Sequence, residues 1–260
     1  AISEDLYNPV AAAVFGDALI VFKRNSVYSY TGWDPQNDVQ FKPVRVHDGT
    51  RSPKSVCAAN DYLMYLGDDA IIALTVVDEA RLSTLRVSPG ITDIIESLTN
   101  RDKAVAIFHD GKYLLACCDD NSGINNLVLV GYVSMPFQEN DEETGSSVVF
   151  PWTIIRGWNV ASWFKDDDDV LYFGSAVDGM IYKAFDGNND LDQPVEVTVT
   201  HRFNLDDAFR VKKLKSLFVL AKQFDGSSLT VEMTISLGYY KITKIIEIDE
   251  SGYWDISDWD

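Results

Sequence analysis

The chain has 260 residues, 46% of them apolar, with 22 basic residues against 40 acidic ones for a formal net charge of −18. Length and apolar share suffice for one β domain or two small ones. The charge balance argues against binding nucleic acid or an anionic membrane through a broad basic face, and no apolar run approaches the roughly 18 residues expected of a membrane span.

The opening AISEDLYNPV does not read as a signal peptide. A start at Ala1 without methionine is expected of a trimmed piece of something longer. Pro9-Val10 leads into the stretch around which the chain is organised, AVFGDALIVFKRNSVYSYTG from Ala13 to Gly32. It reads as strand, Gly16-Asp17 turn, strand (Ala18 to Phe22), a Lys-Arg-Asn-Ser turn, and strand (Val27 to Tyr30). The stretch recurs. Ser55 to Thr75 repeats it with Asn60-Asp61 at the first turn, and Ala104 to Cys118 repeats it with His109-Asp110-Gly111, Leu127 to Val133 supplying the third strand. A fourth copy runs from Asn159 to Gly187, with Asp166 to Asp169 at its first turn and Asp178-Gly179 at its second.

Aligned on Asp17, Asp61, Asp110 and Asp167, the unit is roughly 40 to 50 residues of short antiparallel strands, the spacing of propeller blades. Each copy leaves room for a fourth strand: Val39 to Val46, Leu82 to Val87, Val148 to Arg156, and Val195 to Phe203. A four-stranded meander cannot bury both faces alone, and radial stacking lets neighbours cover each other.

Between the second and third copies, Ser88-Pro89-Gly90 introduces Ile91, Ile94, Ile95 and Leu98 at helical spacing, so a short helix near 91–99 is expected, packed on the edge of the blades. Gln138 to Ser147 (QENDEETGSS) is acidic and without an apolar anchor, and reads as an exposed hairpin loop. DGNNDLD, Asp186 to Asp192, looks like a calcium loop but lacks the carboxylate at the twelfth position and the flanking helices, so a turn is the better reading. The Asp166 to Asp169 run is read in the same way.

The last third differs. Val195, Val197 and Val199 alternate with Glu196, Thr198 and Thr200. Lys212 to Ala221 and Ser228 to Leu237 flank an Asp225-Gly226 turn, and Thr243 to Ile248 offers another strand. These make either a fifth blade or a small sandwich-like extension. The expected architecture is thus all-β: a β-propeller of about five four-stranded antiparallel blades, with blades over 1–205 and a final blade or C-terminal β extension over 206–260.

Cys57, Cys117 and Cys118 are odd in number and two are adjacent, with no CxxC spacing, which indicates neither a disulfide framework nor a zinc site. They read as small buried hydrophobes in a protein that folds in a reducing cytoplasm. His47, His109 and His201 are isolated, and no GxSxG, GxGxxG, Walker or HExxH pattern occurs. His109 occupies a repeated turn position and reads as turn chemistry. No catalytic, cofactor or metal residue is expected.

The succession LIVFKRNSVYSYTG, GTRSPKSV with YLMYLGDDAIIALT, SPGITDIIESL with AIFHDGKYLLAC, VLYFGSAVDGMIYKAFDG, and VTVTHRFNL with KKLKSLFVLA resembles the β-propeller region of bacteriophage virion proteins, of the kind found in tail tubes, nozzles and hubs of tailed phages. The resemblance covers Val14 to about Leu237. It implies a rigid, non-enzymatic building part, with other virion subunits as partners, a homo-oligomeric ring in the tail, and no catalytic residues to carry over. Two other classes stay open: a glycan-binding or glycan-cleaving propeller with Trp33, Trp152, Trp158 or Trp163 and carboxylates around a central pocket, and a receptor-binding tail-tip protein with an exposed aromatic patch. Against the first stands the ordinary use of tryptophan as filler between blades.

Overall fold

The computed structural model describes residues 8–31, 40–46, 48–78, 81–141, 145–187, 189–190, 193–194, 229–237 and 240–248. The chain divides into two compact units, Ala1–Val195 and Glu196–Asp260.

In the first unit the strands follow one another as antiparallel meanders. The first sheet is β1 (Pro9–Phe15), β2 (Ala18–Lys23), β3 (Ser26–Thr31) and β4 (Gln40–Val46); the second is β5 (Cys57–Ala59), β6 (Tyr62–Leu66), β7 (Ile71–Asp78) and β8 (Arg81–Arg86). The third sheet starts with β9 (Val105–His109), β10 (Lys112–Cys117) and β11 (Leu127–Tyr132). The chain then detours through a hairpin, β12 (Phe137–Asp141) and β13 (Gly145–Val149), and completes the sheet with β14 (Trp152–Arg156) on the free side of β11. The fourth sheet has three described strands, β15 (Val160–Lys165), β16 (Leu171–Ser175) and β17 (Ile181–Lys183), and the two-residue strands β18 (Asn189–Asp190) and β19 (Gln193–Pro194) follow. In the second unit β20 (Leu229–Leu237) pairs antiparallel with β21 (Tyr240–Ile248), which starts earlier than the strand expected from Thr243.

The repeated first turns form for a local reason. Gly16, Asn60, Asp110 and Gly111 all have positive φ, as does Asp169 in the longer fourth turn. Gly, Asn and Asp accept that conformation with the least strain, and a two-residue Asp-Gly link matches the twist of a hairpin.

The stretch Val148 to Arg156, expected to be one strand, is two. Val148 and Val149 end the inserted hairpin, and only Trp152–Arg156 joins the sheet. Pro151, which has no N–H to donate, separates them, while its carbonyl accepts from the Tyr132 N–H at 3.0 Å. The expected hairpin at Gln138 to Ser147 is thus present, with Glu139 opposite Ser147 and Asp141 opposite Gly145. Val195 to Phe203, Lys212 to Ala221 and the Asp225-Gly226 turn lie outside the described residues.

The four sheets stack through their faces, and strand alternation assigns each side chain to a seam. Ile20, Phe22 and Val27 of the first sheet meet Leu63, Tyr65, Ile72 and Leu74 of the second. The alternate residues of those strands, Met64, Leu66, Ile71 and Ala73, meet Tyr113, Leu115, Cys117, Leu127 and Leu129 of the third. Leu114, Ala116, Val128 and Val130 face the other way and meet Val160, Leu171 and Phe173 of the fourth. The second and third sheets are therefore buried on both faces, which explains why their central strands read as nearly continuous apolar runs.

The helical spacing after Gly90 gives a 3₁₀ turn, Pro89–Ile91, and one short helix, α1 (Thr92–Ser97). It does not lie on an outer edge: Ile91, Ile95 and Leu98 enter the core between the second and third sheets. A glycine fixes how the first sheet hands the chain to the second. A Cβ on Gly49 would lie 2.0 Å from the Lys23 carbonyl oxygen and 2.6 Å from the Ser26 nitrogen, and the close approach lets the Thr50 N–H donate to Lys23 at 2.9 Å.

Since seams rather than single sheets hold the unit together, truncation should cost by seam. Leu114→Ala is expected to destabilise by about 2–5 kcal/mol, whereas Val14→Ala, at a position 74% exposed, should stay within about 0.5 kcal/mol. Urea denaturation followed by tryptophan fluorescence measures both.

Candidate functional site

The first strands neighbour one another along one edge of the stack: β9 lies beside both β5 and β15, and β1 adjoins the turn Pro53–Ser55 that leads into β5. Elsewhere β4, and β13 of the inserted hairpin, lie against β8. The sequence of the first-strand edge is unusual for β structure, since alanine is depleted in strands. Each first strand nevertheless carries small residues: Ala11, Ala12 and Ala13; Ala58 and Ala59; Ala106; Ala161 and Ser162. Of these, Ala59 is buried and Ala11, Ala13 and Ala106 are half-buried, while Ala12, Ala58, Ala161 and Ser162 are exposed.

The repeated first turns carry acid, and in the third and fourth copies a lysine answers it. Lys112 pairs with Asp110 across their own hairpin, and Lys165 Nζ sits 2.6 Å from Asp169 Oδ1. Hydrogen bonds from these lysines hold both carboxyls below the ordinary carboxylate range. Asp166 Oδ1 accepts the N–H groups of Asp168 (3.1 Å) and Val170 (2.8 Å), so the Asp166 to Asp169 run is a turn capped by its own first carboxylate. His109 stands at the end of β9, with Nδ1 3.7 Å from Asp169 Oδ2 of the fourth sheet. In the DGNNDLD stretch, Asn189 pairs with Pro194 and Asp190 with Gln193 in a tight hairpin. Among the described residues no three His, Cys, Asp or Glu side chains gather in a cation-holding group.

The described tryptophans, Trp152, Trp158 and Trp163, serve the seams. The Trp152 indole N–H donates to the Val87 carbonyl at 2.9 Å, and its ring covers Gly131, where a Cβ would lie 2.5 Å from the indole. The Trp163 indole N–H donates to Val105 of the third sheet at 3.2 Å. Trp158 stacks on Phe173 at 5.1 Å and meets Trp163 and Phe185 edge-on. Buried tyrosines act alike: Tyr65 donates to the Asp48 carbonyl at 3.0 Å and Tyr113 to that of Ser55 at 2.7 Å. Burial pushes the Tyr113 hydroxyl well above its ordinary range. Trp33, His47 and His201 lie outside the described residues.

Cys117 and Cys118 are buried, Cys57 is half-buried, and all three are free thiols. Burial raises the Cys57 and Cys117 thiols above the ordinary range, so both are held as neutral small hydrophobes.

Three polar residues with structural weight carried no recognisable motif. Arg101 directs its guanidinium at main-chain carbonyls: Gly67 at 2.9 Å, Leu98 and Glu96 at 3.4 Å, and Ile95. It thereby closes the C-terminus of α1 against the β6–β7 turn, and burial lowers its proton affinity. Asn125, 5% exposed, donates to Lys103 at 3.0 Å and Val160 at 3.1 Å, tying the third sheet to the fourth, and the Ser52 hydroxyl donates to Ala104 at 2.9 Å, tying the second to the third. What the arrangement does chemically is to fasten sheet to sheet. No helix among the described residues is long and apolar enough to cross a membrane. Comparison with protein-family models and with curated proteins returns no match to the chain.

Arg101→Ala should lower stability by about 1–3 kcal/mol by orphaning buried carbonyls, and Arg101→Lys should recover little of it, because a point-like ammonium cannot reach several divergent acceptors; urea midpoints decide. Acid sensitivity has a definite origin in the β16–β17 turn. The Tyr182 hydroxyl, with the Met180 N–H and Ser175, depresses the Asp178 carboxyl from 3.8 to about 2. A depressed carboxyl contributes stability that is present above its ordinary value and lost as pH falls toward the depressed one. Wild-type protein should therefore lose a component of stability between about pH 4 and pH 2 that Asp178→Asn lacks, measured as the urea midpoint against pH.

Proposed function

We propose that the stacked meanders are successive blades of a β-propeller and that the chain is a non-enzymatic structural component of a phage tail, of nozzle, hub or adaptor type. It contacts other virion subunits, works in a homo-oligomeric ring, and takes part in genome passage or host attachment. The observation that carries this reading is the burial of the second and third sheets on both faces. Radial stacking of meanders requires it. The resemblance of the strand succession to phage virion propellers supports the choice of assembly.

A rigid body with loop-bearing faces suits contacts with neighbouring subunits in a ring. Its charge of −18 repels DNA phosphates, so a genome passing an acidic surface slides instead of sticking. The described tryptophans favour this reading over a glycan pocket: Trp152 and Trp163 spend their indole N–H groups on main-chain carbonyls across seams.

Negative-stain electron microscopy and mass photometry of the purified chain test the proposal, together with titration of duplex DNA and an oligosaccharide panel. Closed symmetric rings that neither retain DNA at low salt nor bind glycans are the expected result. A chain that stays monomeric at every concentration and binds an oligosaccharide, losing it on Trp158→Ala, would overturn the reading in favour of a carbohydrate-binding propeller.

A further inference from the structure

Three seams join the four stacked sheets, which leaves two faces over. Residues paired across an antiparallel ladder share a face. In the first sheet Ala13, Ile20 and Phe22 enter the first seam, and their neighbours Ala12, Val14, Leu19 and Val21 face the other way. Val14 is 74% and Leu19 39% exposed, and Ala12 is exposed too. The same face is closed further along, where Tyr28 is buried, so its open part lies over β1 and β2. The fourth sheet is left open in the same manner. Trp163, Phe173 and Tyr182 enter the last seam, while Phe164, Tyr172 and Ile181 face away, Phe164 39% and Ile181 65% exposed.

The two faces belong to one series. Each seam sets the outgoing face of one sheet on the incoming face of the next: Ile20 and Phe22 on Leu63 and Tyr65, Met64 and Leu66 on Tyr113 and Leu115, Leu114 and Ala116 on Leu171 and Phe173. The fourth sheet therefore keeps an outgoing face without a successor, and the first an incoming face without a predecessor. Strand β2 begins ALIVF, the continuous apolar run that β6 and β10 use for burial on both sides. The exposure of Val14 and Ile181 shows that the chain does not press its two open faces on each other.

We propose that the fourth-sheet face of one copy of this chain seats on the first-sheet face of the next, continuing the stack from copy to copy. The inference rests on the blade reading above and names the surface through which the ring is built. Shape favours this pairing over like on like. The Phe164 and Tyr172 rings stack 5.2 Å apart on the fourth-sheet face, whereas Ala12, Val14, Leu19 and Val21 make a low aliphatic surface, so large side chains oppose small ones. Electrostatics select the same faces. Copies that each carry −18 repel one another and can approach only where no unanswered acid stands. The open part of the first-sheet face has no charged side chain, and on the fourth-sheet face Lys183 is answered by Asp186 at 3.2 Å. A contact of outgoing on incoming face is heterologous, and such contacts close into rings when the rotation between copies permits.

Cross-linking tests the pairing. Val14→Cys and Ile181→Cys are placed on separate full-length chains, mixed at a concentration where mass photometry shows assembly, and treated with a short bis-maleimide. Wild-type chain reports the background from Cys57, Cys117 and Cys118. The expected result is a covalent dimer in the mixture and in neither variant alone, and a ladder of multimers from a chain carrying both substitutions. Leu19→Cys with Phe164→Cys repeats the test at a second exposed pair. Ile181→Asp should raise the concentration for half-assembly by about tenfold, since it puts a charge into an apolar contact. Dimers from either variant alone as readily as from the mixture would mean like-on-like contact and overturn the inference. So would a doubly substituted chain that links only within itself, the mark of closure inside one chain. Rings that persist without any cross-link would overturn it and leave the ring reading standing, because another surface then builds them. A chain that never assembles removes both.

Discussion

Everything in the first unit depends on the fact that a four-stranded meander with two apolar faces is not a stable object by itself. Strand alternation sends Leu63, Tyr65, Ile72 and Leu74 to one side of the second sheet and Met64, Leu66, Ile71 and Ala73 to the other. Neither face can be left to water, so the sheet needs a neighbour on each side. The third sheet repeats the condition with Tyr113 and Leu115 against Leu114 and Ala116. Stacking is thus dictated by sequence alternation, and the turns only deliver the strands to it.

Much of this was legible because it is local. Period-2 alternation and turn residues that tolerate positive φ are short-range signals, and Gly16, Asn60 and Asp110 sit where the repeat placed them. The split of Val148 to Arg156 was less legible, since both halves have strand composition and only Pro151 between them marks the change of sheet. The helical spacing at Ile91 to Leu98 gave the element but not its place, because spacing tells which face is apolar and not what covers it. Even so, the pattern contains the answer in part: with Ile91, Ile95 and Leu98 all apolar on so short an element, burial in a wedge uses more of them than an edge would.

The candidate site was the least legible part, for a physical reason. Arg101 binds carbonyls of Gly67, Leu98, Glu96 and Ile95, and Asn125 binds those of Lys103 and Val160. A main-chain carbonyl has no side-chain identity, so such partners leave no motif to find. The tryptophans were recognisable as large aromatics, but the recipients of their N–H groups, Val87 and Val105, were hidden for the same reason. Serine does this work too: Ser52, Ser55 and Ser88 are fully buried and each is spent on main-chain groups.

These contacts divide the labour of holding sheet to sheet. Apolar seams supply most of the stabilisation, and their close-packed side chains already favour one arrangement. Directional bonds from Trp152, Trp163, Asn125 and Ser52 to main-chain carbonyls sharpen it, because displacement by one residue leaves a buried donor and a buried acceptor unpaired. Acid is meanwhile answered at two turns, where Lys112 and Lys165 pair with Asp110 and Asp169. A strongly acidic chain can therefore stack its four sheets closely: these carboxylates stay at the turns, Arg101 enters the stack with its guanidinium spent on main-chain carbonyls, and Trp152, Trp163 and Ser52 enter as neutral donors paired across it.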